Sequence, residues 1–383
     1  MKKSEAVELF DQHFTKIQDP RDKRGLRHQL KEILIISILS IICGADGFIE
    51  MEEFGKSKIK FLKTFLKLPN GIPSHDTFGR VFCLIDPEEF RKCFIEWVKD
   101  ICGDLTGDII NIDGKALRHS YDTAAGKSMI YMVSAWANSN NLVLGQIKVE
   151  EKSNEITAIP KLLKLLELAG SLVTIDAMGT QKEIAKDIVD AQADYLLALK
   201  GNQGNLKEEV EEAFDKFDAK QKAIEKGTFD QQIQVDHGRI EERKCYVIPA
   251  KEFLSPLILN AWAGILSIVM IEAYTTFKNG KRKGEQTYQK RYYITTLSQV
   301  AQRINLAVQT HWGIENKVHW ILDVAFSEDD SRVRKGHADE NFAIARHLAL
   351  NKLKNETSCK RGVKAKRKKA GWDNEYLLEV LAA

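Results

Sequence analysis

The sequence runs to 383 residues, 44% hydrophobic and 29% charged, with seven prolines and a formal net charge of +3. That balance excludes a collagenous, low-complexity or disordered chain and leaves enough apolar material for a sizeable core in two or three domains. The total charge says little about partners; its distribution says more.

Lys352, Lys354, Lys360, Arg361, Lys364, Lys366, Arg367, Lys368 and Lys369 face a single acid, Glu356, near the C-terminus. Such a cluster reads either as a polyanion-binding segment or as a solvated tail. Cys43, Cys83, Cys93, Cys102, Cys245 and Cys359 are scattered without a Cys-x-x-Cys pair. Neither a zinc site nor a disulfide framework is expected, and a reducing cytoplasm is the natural compartment. Met1 to Pro20 is charged and amphipathic rather than signal-like. The longest apolar run, Ile33 to Gly44, is broken by Ser37 and Ser40 and is too short to span a bilayer. It reads as a buried helix, so no membrane association is expected.

Taken in chain order, Glu5 to about Gly107 is helical, with apolar residues every three or four positions through Leu30–Ile42, Phe48–Leu68 and Phe90–Cys102. Pro69, Gly71 and Pro73 break the run. Ser74 is placed as an N-cap, and Asp86 opens another helix with Pro87 at its first position. Ser74–Leu84 reads either as one helix of a bundle or as part of a helix-turn-helix-like DNA reader. From Asp108 the period changes. Asp108–Asp113, Ser128–Trp136 and Leu142–Val149 are three strands of an antiparallel meander. A helix over Glu155–Leu168, a strand over Ser171–Asp176, a helix over Gln181–Ala191 and a strand over Asp194–Leu199 follow, and these crossovers imply parallel pairing. Asn205–Gly227 reads as one charged helix, then Gln231–Ile248, Ile265–Phe277 and Gln286–Thr295 as strands around the basic turn Lys278–Gly284. Helices return over Ala301–Phe326 and Glu340–Leu353.

The acids are the informative residues. Asp113 and Asp176 each end an apolar strand and each precede a small residue, Gly114 or Ala177. Alone, each is an ordinary turn former. At matching ends of neighbouring strands they would share one cleft, where two anions repel unless a cation joins them. A third acid is expected from Thr310–Phe326, in which Glu315, His319 and Asp323 recur on roughly one face among Trp312, Ile314, Val318, Trp320, Ile321 and Leu322. Glu315 is the first choice and Asp323 the reserve; the plain alternative is an intrahelical Glu315–His319 pair. Trp312 and Trp320 are read as core rather than as base-stacking residues. Oxygen-only ligands suit Mg²⁺ or Mn²⁺, and two such ions about 3.5–4 Å apart serve in-line displacement at phosphorus.

Four segments carry a family resemblance: NIDGKALRHS (Asn111–Ser120), VTIDAMGTQKEIA (Val173–Ala185), ADYLLALKGNQ (Ala193–Gln203) and HWGIENKVHWILDVAFSEDDSRVRKGHADENFAIARHLALN (His311–Asn351). They resemble the DDE transposases of bacterial insertion sequences, within the ISAs-type branch that includes the H-repeat-associated proteins. The resemblance covers nearly the whole chain. It implies an α/β fold: a ribonuclease-H-like mixed sheet with flanking helices, a β-rich insertion and an all-helical N-terminal domain. The corresponding units are 1–107 (helical, binding DNA ends), 108–204 with 296–355 (catalytic core), 205–295 (insertion) and 356–383 (basic C-terminal tail). It places the metal-binding acids at Asp113, Asp176 and Glu315, with two Mg²⁺ or Mn²⁺ ions, and implies endonucleolytic cleavage at terminal inverted repeats and strand transfer into target DNA, by a homodimer in the DNA complex.

The wider superfamily carries Tyr and Arg before the Glu and a Lys after it; here those positions are Val308, His311 and Leu322. His311 is therefore the candidate phosphate contact in place of the Arg, with His319 nearby. Lys115, Arg118, Lys200, Arg332, Arg334, Lys335, Lys366 and Arg367 are the candidate DNA-binding cations, each weighed against an ordinary surface charge. Two other functions fit the same acids: a ribonuclease-H-like nuclease without strand transfer, and a non-catalytic DNA-binding protein derived from a transposase. A nucleotide-dependent metabolic enzyme is disfavoured, because Lys200–Asn205 lacks the spacing of a phosphate-binding glycine loop.

Overall fold

The computed structural model describes residues 3–383 apart from 23, 25, 121–128, 151–153, 217 and 237. Ser128, the expected start of the second strand, lies outside the described residues, as do Met1 and Lys2.

The N-terminal third forms five helices, as its apolar spacing predicts: α1 (Lys3–Phe14), α2 (Leu30–Cys43), α3 (Phe48–Leu62), α4 (His75–Leu84) and α5 (Pro87–Cys102). Helix α2 is apolar on every face, so only burial on every face satisfies it. Ile33, Ile35, Ile36, Leu39, Ile41 and Ile42 have no exposed surface. The serines that interrupt its run donate their hydroxyls to the carbonyls of Ile33 and Ser37 within the helix. Ser74 caps α4 by accepting from the Thr77 amide, and Asp86 caps α5 from the Glu88 amide with Pro87 in the first turn. Among the described residues no single helix is long and apolar enough to cross a membrane; α2 and α3 reach that length only as a pair bent by 96°.

The meander is present as β1 (Ile109–Leu117), β2 (Ile130–Ala137) and β3 (Leu142–Lys148). It is followed by α6 (Glu155–Leu163), β4 (Leu172–Ile175), α7 (Lys182–Asp190) and β5 (Asp194–Leu199), with β4 parallel to β1 and β5 parallel to β4. Three antiparallel strands beside two parallel crossover strands make the ribonuclease-H-like arrangement. Strand β1 runs beyond Asp113 because β2 continues to pair with it, Gly114 to Leu117 lying opposite Val133 to Ile130. Asp113 thus directly follows the last β4 pair, inside the strand.

Two helices, α8 (Gly204–Lys216) and α9 (Ala219–Glu225), replace the single charged helix read from the sequence. The expected strand Gln231–Ile248 is likewise two, β6 (Phe229–Asp236) and β7 (Arg239–Pro249). The chain reverses at Gly238, whose φ of +75° is a conformation glycine adopts without strain. Helix α10 (Pro256–Ala261) and strands β8 (Ser267–Phe277) and β9 (Gln286–Thr295) complete this region. Strand β9 pairs antiparallel with β5, so the insertion strands extend the core into one nine-stranded sheet, ordered β3-β2-β1-β4-β5-β9-β8-β7-β6.

The chain then forms α11 (Ala301–His311), a π turn (Glu315–His319), α12 (Trp320–Phe326), α13 (Ala338–Asn355), α14 (Val363–Trp372) and α15 (Asn374–Ala382). Strand alternation divides the sheet between two layers. Ile110, Ile112, Val173 and Ile175 face the core shared with α6 and α7, whereas Ile109, Leu172 and Leu196 pack with Ile304, Ala307 and Val308 of α11.

Helix α13 is buried through most of its length, and its polar residues tie the layers together. Asn341 donates to the carbonyls of Phe82 and Ile85 at the end of α4, Glu340 pairs with Arg91 of α5, and Asn351 bridges the amide and carbonyl of Val143 on β3. The C-terminal region is not a solvated tail. Helices α14 and α15 fold back onto α2 and α13. Lys366 is buried and donates to the carbonyls of Leu353 and Glu356, and Arg367 is buried over Phe326 with its guanidinium on the Ile41 carbonyl at the end of α2. These two residues were candidate DNA contacts; their charges instead meet carbonyls at helix ends. Arg367→Ala should cost about 3 kcal/mol of stability, because it strips a buried charge-assisted bond and leaves Asp46 and the α2 terminus without that partner. Urea melts check this, and DNA affinity of the folded variant at low denaturant should be unchanged.

Candidate active site

The parallel register fixes the first two acids. Pairing runs Asn111–Thr174 and Ile112–Ile175, so Asp113 and Asp176 are the next residues opposite one another. Both share the strand parity of Ile109 and Leu172 and so face the α11 layer. Glu315, in the π turn that follows α11, joins them. The three acids line one cavity of about 180 Å³ together with Thr174, Lys200, Arg291, Tyr293, Val308, His311 and Trp312. Asp176 also caps a short turn by accepting from the Met178 amide at 2.9 Å. The reserve acid, Asp323, is turned away onto Lys115.

Charge on two of the three acids is left unpaired. Among the described residues no lysine or arginine forms an ion pair with Asp113 or Glu315, and Lys200 reaches only to 3.9 Å from Asp176 with 72% of its side chain exposed. Burial, then the neighbouring carboxylates Glu155, Asp176 and Glu315, push the Asp113 carboxyl up to about 7. Glu155, at the start of α6, was not singled out in the sequence; burial and Asp176 raise its carboxyl as well. An acid in a first helical turn is unremarkable by itself, since the helix dipole favours it there. Arg291 was also not singled out. It lies over the Trp312 ring at 4.3 Å.

The two histidines are neutral. Burial lowers His311 to about 4, and burial with the nearby Lys115 does the same to His319. His319 Nδ1 stands 3.6 Å from Asp113, so that approach is not an ion pair. His311 belongs to a polar chain across the sheet: Asn111 donates to the Thr174 hydroxyl at 2.7 Å, and Thr174 lies 2.9 Å from His311 Nδ1.

The candidate DNA cations divide. Lys200 lines the cavity. Lys115 does not offer its charge to a phosphate: it is nearly buried and held by Asp323, Glu328 and, at 3.8 Å, Asp329. Arg118 is exposed, 3.3 Å from Asp329; Arg334 donates to the His119 carbonyl; Arg332 and Lys335 are exposed on the same loop. Trp312 and Trp320, read as core, are 45% and 60% exposed. The apolar side of that helix is instead Ile314, Val318, Leu322 and Phe326.

No group of three or more His, Cys, Asp or Glu side chains among the described residues is already disposed to hold a metal ion. The donor chemistry nevertheless fits a hard divalent cation: the carboxylates supply oxygen alone, and among the described residues no lysine or arginine pairs with Asp113.

Residues 79–352 match the family model described as the transposase DDE domain, and residues 11–98 match its companion, described as DDE_Tnp_1-associated. The chain belongs to this family of DDE-domain transposases. Its relatives include the "H repeat-associated putative transposase YhhI" of Escherichia coli K12, 40% identical over 97% of each chain. The "Putative transposase YncI" of Escherichia coli O157:H7 is 41% identical over 99% of this chain and 95% of that one. Among solved structures, a piggyBac transposase synaptic complex with hairpin DNA aligns with all of this chain and 78% of its own, at a TM-score of 0.42 and 10% identity.

The raised Asp113 carboxyl has a thermodynamic consequence. A carboxyl held above its unfolded value binds its proton more tightly when folded, so its contribution is present below the ordinary Asp range and is lost as pH rises toward about 7. His311 and His319 act in the opposite sense, so the comparison is with Asp113→Asn. In EDTA, the melting temperature of the wild type minus that of the variant should fall as pH is raised from 4 to about 7. A flat difference would remove the argument for an uncompensated Asp113.

Proposed function

We propose that this protein cuts DNA at the terminal inverted repeats of an insertion sequence and transfers the freed 3′ ends into target DNA, with Asp113, Asp176 and Glu315 as its catalytic acids. The observation that carries this reading is that three acids from separate elements line one cavity in which Asp113 has no lysine or arginine partner among the described residues. Asp113, Asp176 and Glu315 would hold two Mg²⁺ or Mn²⁺ ions, which when bound activate the attacking oxygen and stabilise the leaving one. Lys200 and Arg291 stand at the cavity to receive the phosphate. His311, held neutral by burial, would contact a phosphate oxygen without adding charge. The helical N-terminal region would bind the DNA ends, and a homodimer would hold two ends together.

End-labelled inverted-repeat DNA with a target plasmid, in Mg²⁺ and in EDTA, tests the reading. Metal-dependent cleavage and joining are expected, with each of Asp113→Asn, Asp176→Asn and Glu315→Gln losing on the order of 10³-fold in both steps while still binding the ends. Cleavage without joining would convert the assignment to a nuclease, and binding without cleavage to a non-catalytic DNA-binding protein. The cations separate in a second measurement. Lys200→Ala should reduce the slope of log affinity against log salt by about 1, whereas Lys115→Ala should leave the slope unchanged and lower the melting temperature.

A further inference from the structure

Strand alternation turns Gly114 away from the three acids, toward the layer that contains α6. Gly114 sits in β1 without a positive φ, so backbone conformation does not require glycine there. Space does: a Cβ at this position would lie 2.2 Å from Oε1 of Glu155 and 2.4 Å from its carboxyl carbon. The Glu155 carboxylate occupies the volume of the missing side chain and lies against the backbone next to Asp113. Among the described residues it has no cationic partner, although it is half-buried.

We propose that Glu155 is a fourth carboxylate of the cation site, reaching it from the opposite face of the sheet through the gap that Gly114 leaves. This inference rests on the cation reading of Asp113, Asp176 and Glu315. Placing an acid without a counter-ion beside two others costs stability in the metal-free protein, and a bound divalent cation reverses that cost.

The test is Mn²⁺ binding to the full-length protein by titration calorimetry, with thermal melts in EDTA alongside. Glu155→Gln should weaken Mn²⁺ on the order of 10–100-fold, and in EDTA it should melt no lower than the wild type, because a repulsive charge has gone. Gly114→Ala, which keeps the acid but fills the gap, should weaken Mn²⁺ in the same direction and decides the matter if Glu155→Gln does not fold. An acid that merely favours the α6 terminus predicts the reverse, a lower melt in EDTA with Mn²⁺ binding intact, and that outcome overturns the inference. If Asp113→Asn abolishes Mn²⁺ binding while Glu155→Gln and Gly114→Ala retain it, the inference falls and the cation reading stands. If the wild type binds no Mn²⁺, both fall.

Discussion

The structure is organised around an unfavourable electrostatic contact. Parallel pairing of β1 with β4 leaves no freedom in where Asp113 and Asp176 stand relative to one another. In a cleft of reduced dielectric, such a pair repels unless a cation is supplied. The basic side chains nearest Asp113 do not supply it, and Lys200, the one nearest Asp176, stands 3.9 Å away and largely exposed. Lys115, two residues along the same strand face, is engaged by Asp323, Glu328 and Asp329, and both neighbouring histidines are neutral. Diverting Lys115 is what keeps the site acidic. A lysine free to swing back onto Asp113 would neutralise it and weaken any claim on a divalent ion.

The same network gives a structural role to the segment after Glu315. The loop over residues 327–337 is held to the end of β1 by Lys115, Arg118 and the His119–Asp329 contact. Beyond it, Glu340, Asn341 and Asn351 clamp α13 to α5, α4 and β3. Most of the polar residues in that segment therefore build the scaffold. Arg367 and Lys366 do similar work at the ends of α2 and α13, where charge-assisted bonds to helix-end carbonyls hold more firmly than neutral ones.

How much of this could be read in the sequence follows from range. Asp113 and Asp176 were legible because an apolar strand ending in an acid and a small residue is a local pattern, and the strand order followed from short hairpins and helical crossovers. Glu315 was legible as an acid in an apolar helix. Lys366 and Arg367 were not legible as buried residues: a run of bases looks alike whether it meets water, phosphate or helix-terminal carbonyls. Glu155 was the hardest, because its role depends on contact through the sheet, and only Gly114 hints at it. The hairpin at Gly238 was hidden inside one long stretch of strand-forming residues that reads through the turn.

Trp312 and Trp320 were misplaced for a reason that also accounts for Glu315. The buried residues Ile314, Val318, Leu322 and Phe326 recur strictly every four positions. An α-helix repeats every 3.6 residues, so three such steps drift by about 120° around the axis. A straight α-helix would spread the four across that arc. One extra residue in the π turn Glu315–His319 takes back about 100° of that drift. It keeps the apolar stripe inward, leaves Trp312 and Trp320 outward, and holds Glu315 and His319 toward Asp113. The four-residue spacing was visible in the sequence, but a regular helix was assumed. The irregularity lies where the third acid must project into the cavity, which is where local regularity is expected to yield to function.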